Sequence, residues 1–72
     1  MTDAELEKRF TYHQPTPEKA NSYKAIRAIA ADFAMVVSTL VPESREQSLA
    51  ITKIEEAVFW ANAGIARNEE EA

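Results

Sequence analysis

Two proline-bounded runs of apolar residues set the terms for this chain. In the first, Tyr23, Ile26, Ala30, Phe33, Val37 and Leu40 follow one another at alternating steps of three and four. In the second, Ile51, Ile54, Val58, Ala61 and Ile65 do the same. That spacing puts every member on one side of an α-helix and is incompatible with the two-residue alternation of a strand. Pro42 separates the runs and cannot sit inside a helix without removing a hydrogen bond and clashing with the preceding turn. The expected fold class is therefore all-α: a long antiparallel two-helix hairpin.

The ends of these helices are marked by their own chemistry. Thr16 is placed as N-cap, Pro17 as a first helical residue whose missing N–H costs nothing, and Glu18 near the positive end of the helix dipole. Ser44 with Gln47 three residues later reads as a capping box opening the last helix. Upstream, Thr2 or Asp3 suits the cap of a short first helix, with Glu5 and Glu7 near its start. The expected organisation is one domain over 1–72: a short helix at 2–8, a loop at 9–16, helices at 17–40 and 44–68, and an acidic tail at 69–72. Two helices of about 24 residues span roughly 36 Å each, and a tight turn makes them neighbours.

A chain of 72 residues without cysteine has neither disulfide nor thiolate metal site to support it. Chains this short bury only about 60% of the surface they expose when unfolded. Ile29 and Val36 beside the first stripe, and Phe59 and Trp60 beside the second, add apolar surface that a lone hairpin leaves uncovered. The hairpin is expected to assemble into a helical oligomer of identical chains. Arg27 and Asp32 interrupt the most hydrophobic region, so no membrane span is expected, and without a signal peptide the protein is expected to be soluble and intracellular. A net charge of −4 argues against duplex DNA as a partner, whose binding draws on clustered cations.

The segment RFTYHQPTP, residues 9–17, places Tyr12 and the single histidine, His13, on the expected loop. Folding the hairpin about Pro42 sets Lys24 opposite Trp60 and Ala61, Arg27 opposite Ala57, and Pro17 opposite Arg67. Tyr12, His13, Lys24, Arg27, Asn62 and Arg67 thus have the means to line one region at the open end. Such a group offers a ring for stacking on a nucleobase and cations for phosphate. The residues by themselves favour simpler roles at this point. Tyr12 serves as a staple packing the loop on the hairpin, Lys24 and Arg27 as a solvated face, Arg67 as a cation at a helix C-terminus, and Lys53 with Glu56 as a surface ion pair. Enzymatic chemistry is disfavoured: Gly64 is the one glycine, so no glycine-rich phosphate loop exists, and His13 has no metal-ligand cluster around it. Neither a cofactor nor a metal is called for.

The stretches RFTYH, SREQSLAITKIEEA and WANAGIARN resemble the helical hairpin domain shared by phage anti-CBASS and anti-Thoeris cyclic-nucleotide sponges. The similarity runs over about residues 9–69. It implies a non-enzymatic protein that binds and sequesters cyclic dinucleotides, with cyclic trinucleotides as further ligands, and so blocks host CBASS signalling in the cytoplasm of an infected bacterium. It implies a hexamer built as a trimer of dimers. It also implies that Tyr12 stacks on the bases of a cyclic dinucleotide and that Arg27, where some members carry lysine, contacts phosphate. Lys24 one turn away is the second choice, Thr11 and His13 are candidate neighbours, and Arg67 is a candidate for a separate trinucleotide site. The anti-Thoeris members carry an additional N-terminal domain for cyclic ADP-ribose-type signals, and 72 residues are not expected to accommodate it. The competing reading is an oligomeric helical protein-interaction module with no nucleotide ligand.

Overall fold

The computed structural model of the protein describes residues 1–68, which form three α-helices: α1 (Asp3–Phe10), α2 (Pro17–Leu40) and α3 (Arg45–Arg67). The described residues are all-helical, and α2 and α3 pack against each other as a hairpin. The acidic tail expected at 69–72 lies outside them.

Local chemistry accounts for each helix start. Thr2 caps α1 in a reciprocal capping box: its hydroxyl accepts from the Glu5 N–H at 3.1 Å, and its own N–H donates to the Glu5 carboxylate at 3.4 Å. Thr16 accepts from the Lys19 N–H at 3.1 Å, immediately before Pro17. Ser44 accepts from the Gln47 N–H at 3.1 Å. Gln47 does not complete a capping box there. Its side-chain amide donates instead to the carbonyls of Val41 at 2.9 Å and Ser38 at 3.2 Å, satisfying groups left open at the end of α2. One glutamine thereby joins the last turn of α2 to the first turn of α3.

The first helix is longer than the 2–8 span expected from sequence. Arg9 and Phe10 are helical rather than part of the loop, which runs from Thr11 to Thr16. Lys8 and Arg9 sit in the last turn, where cations suit the dipole, and the His13 ring meets the Lys8 carbonyl at 3.0 Å. That contact satisfies a carbonyl that the helix end would otherwise leave open.

The stripe that α2 turns toward α3 also differs in detail. Tyr23, Ile26, Ala30 and Val37 are half-buried, but Phe33 and Leu40 are 57% and 75% exposed, and Ala34 and Val41 take their places. A straight α-helix drifts about 20° per heptad against a strict seven-residue repeat. Steps of eleven, from Tyr23 to Ala34, Ile26 to Val37 and Ala30 to Val41, follow the α-helical period more closely. Phe33 and Leu40 are thereby turned outward.

The outcome is a hairpin without a sealed interior. No described residue is fully buried, and Ile29, Met35, Val36, Phe59 and Trp60 are exposed. The radius of gyration is 15.3 Å, against roughly 11 Å for a compact chain of this length. Its surface of 5935 Å² exceeds by roughly 1,400 Å² what a compact monomer of this mass presents. An apolar groove runs along one face of the hairpin, floored by Ile26, Ala30, Ile54 and Val58 and flanked by Ile29 and Phe33.

Candidate functional site at the open end

The loop from Thr11 to Thr16 carries two residues that precede proline, Gln14 and Thr16, and such residues favour extended backbone. The segment consequently leaves α1 without helical structure and brings Tyr12 to the open end of the hairpin. The Tyr12 ring is 80% exposed, so it is not a staple packed on the helices within one chain. His13 is half-buried and anchored to the Lys8 carbonyl.

Tyr12, His13 and Gln14 form one wall of a cleft whose floor and far side come from Lys19, Ser22 and Ile26 of α2 and from Ala61, Gly64 and Ile65 of α3. Its volume is about 1060 Å³, at the upper end of the range for small-molecule sites. Ile26 and Ala61 line both this cleft and the apolar groove, which makes the two continuous. The far end of the cleft is closed by a relay: the Lys19 ammonium donates to the Asn68 carbonyl at 3.2 Å, and the Asn68 amide donates to the Gly64 carbonyl at 2.7 Å.

The cleft brings together only some of the residues singled out from sequence. Tyr12 and His13 line it; Lys24, Arg27, Asn62 and Arg67 do not. Helical geometry supplies the reason. Lys19, Ser22 and Ile26 lie at steps of three and four on one stripe, whereas Arg27 is rotated by about 100° from Ile26 and Lys24 further still. Lys24 and Arg27 are three apart and share a face of α2, but that face is not the one the loop turns toward. Thr11 is the exposed C-cap of α1, and Arg67 is half-exposed in the last turn of α3. Within one chain, Tyr12 and Arg27 therefore serve different sides of the hairpin. Lys19 keeps register with Ser22 and Ile26, and that spacing is the sequence signal that it belongs beside the loop.

Two further polar features lie along α3. The Asn62 side-chain oxygen is buried without a hydrogen-bond partner among the described residues. Lys53, on the groove face, pairs with Glu56 at 3.3 Å, an exposed contact of little energetic weight. Among the described residues no group of three or more His, Cys, Asp or Glu side chains is placed to hold a metal ion. No helix there is long and apolar enough to cross a membrane. A stacking ring, an ammonium and a polar rim over an apolar floor suit the binding of a flat, anionic ligand.

Comparison with known families places a match over nearly all of the chain: the model described as Acb2/Tad1, hairpin domain, covers residues 2–66. No significant match was found among curated proteins or among solved structures.

Proposed function

This chain belongs to the Acb2/Tad1 hairpin domain family, a family of cyclic-nucleotide sponges, and on that footing we propose that it binds and sequesters cyclic oligonucleotide second messengers without cleaving them. Cyclic dinucleotides are the first ligand class and cyclic trinucleotides the second. The protein would act in the cytoplasm of an infected bacterium, holding the signal of the host's CBASS defence away from its effector. The observation that carries this reading is the placement of Tyr12. An aromatic ring exposed at the mouth of a cleft is costly to leave in water and well suited to a nucleobase, a contact worth about 1–3 kcal/mol.

Assembly belongs to the same reading. The unsatisfied surface of the single hairpin is on the scale of about 1,200–2,000 Å² that a stable interface buries. Ile29, Phe33, Val36 and Trp60 are among the exposed residues available for it. We take the oligomer to be a hexamer arranged as a trimer of dimers. In a two-fold dimer each surface patch recurs on the twin chain, so the Tyr12 of one chain and the Arg27 of another are free to meet although they face apart within one hairpin. On this reading Arg27 contacts phosphate in the assembled protein, with Lys24, Thr11 and His13 as neighbours. Arg67 is assigned to a separate trinucleotide site.

Calorimetry with a cyclic dinucleotide tests the assignment. Tyr12→Ala and Arg27→Ala should each weaken binding by about 5- to 100-fold while the oligomer, measured by light scattering, stays intact. Unchanged affinity in both variants would sink the site. Ligand recovered intact after denaturing the complex is the expected mark of sequestration, and a linear product would replace the sponge with a hydrolase.

A further inference from the structure

We propose that Lys19 is a phosphate-contacting cation of the Tyr12 cleft, seating one phosphodiester of a cyclic oligonucleotide whose base lies on the Tyr12 ring. The inference rests on the nucleotide-binding reading above and adds to it a residue on the stripe of α2 that lines the cleft, which Lys24 and Arg27 do not.

Four observations converge on Lys19. It lines the same cleft as Tyr12 and His13, whereas Lys24 and Arg27 do not. It is half-buried, so an anion beside it is less screened than one beside a fully exposed lysine. Its ammonium carries three donors, of which one is used among the described residues, toward the Asn68 carbonyl at 3.2 Å. No carboxylate among the described residues lies within ion-pair distance of it; the described ion pair is that of Lys53 with Glu56. Glu18 also lines the cleft and opposes an anion there, which makes a nearby cation necessary for phosphate to enter.

Fold stability alone gives a weaker account of the residue. Lys19 occupies the first turn of α2, where the helix dipole disfavours a positive charge. Its structural use is the clasp onto Asn68, at the end of α3, and a neutral amide donor would serve that purpose as well. The positive charge itself has no role in the clasp that a neutral donor could not fill. A phosphodiester held by the remaining two donors gives the charge a role. Because the same ammonium holds the end of α3, occupancy of the cleft would also draw the first turn of α2 and the last turn of α3 together.

Lys19→Gln separates the two roles, since the amide retains a donor for Asn68 but loses the charge. Binding of cyclic di-AMP, cyclic di-GMP and cyclic GMP-AMP would be titrated at several salt concentrations, with Tyr12→Ala as control. The expected result is a roughly tenfold or greater loss of affinity in Lys19→Gln, a binding curve less sensitive to salt by about one counterion, an unchanged melting temperature, and recovery of binding in Lys19→Arg. Wild-type affinity and salt dependence in Lys19→Gln, with Tyr12→Ala impaired, would overturn the role of Lys19 and leave the Tyr12 site standing. Absence of binding by the unaltered protein to all three ligands would overturn both.

Discussion

The two ends of the hairpin are built on opposite terms. At the turn, Pro42 stops α2, Ser44 caps α3, and the Gln47 amide spans both helices through the carbonyls of Ser38 and Val41. The Ser44 hydroxyl even donates to the Pro42 carbonyl at 2.8 Å. The helix-end carbonyls there are satisfied by neighbours a few residues away. At the open end the restraints are sparser: His13 meets the Lys8 carbonyl five residues back, and a single long-range bond joins Lys19 to the Asn68 carbonyl across 49 residues of sequence. There the Tyr12 ring stands in solvent and the Asn62 oxygen has no partner among the described residues. The contrast teaches that one end carries the stability of the connection and the other keeps unspent binding capacity.

The strongest way to break the comparison is to remove the seam that both ends depend on. Ile54 is half-buried between α2 and α3. Ile54→Asp, which sets a carboxylate in that seam, should cost more than about 3 kcal/mol, a large share of what so small a chain possesses. Circular dichroism should show loss of helix and light scattering loss of the oligomer. A folded, fully assembled Ile54→Asp protein would mean that this stripe is not the core of the hairpin.

A smaller change sharpens the comparison by touching the turn alone. Gln47→Ala removes two hydrogen bonds to helix-end carbonyls and should cost about 1–2 kcal/mol, lowering the melting temperature by several degrees. Ser44→Ala, which removes a helix cap, should cost about 1 kcal/mol. Cyclic dinucleotide affinity, measured below the melting transition, should not change in either variant. A loss of affinity comparable to that in Tyr12→Ala would show that the turn belongs to the site.

The helical hairpin was legible in the sequence because its signals are local: apolar steps of three and four, Thr16 before Pro17, and Pro42 between two long runs. Finer choices depended on geometry that local spacing does not decide. Phe33 and Ala34 are both apolar, as are Leu40 and Val41, so periodicity alone could not say which of each pair faces α3. The α-helical pitch selects Ala34 and Val41. The end of α1 has no comparably local signal: Arg9 and Phe10, expected in the loop, are helical, and the His13 contact to Lys8 supports that last turn. In the candidate site, an aromatic loop near basic residues was visible from sequence. Which cation lies beside Tyr12 follows from the side of α2 toward which the loop turns, and that placed Lys19 in the cleft in place of Lys24 and Arg27.

Amide hydrogen exchange with and without bound cyclic dinucleotide tests the central claim most directly, because it reads both ends of one molecule in one experiment. The account predicts added protection over residues 12–22 and 61–68, with residues 41–47 unchanged beyond any general slowing shared by the whole hairpin. Protection centred on the turn, with the open end unchanged, would contradict it.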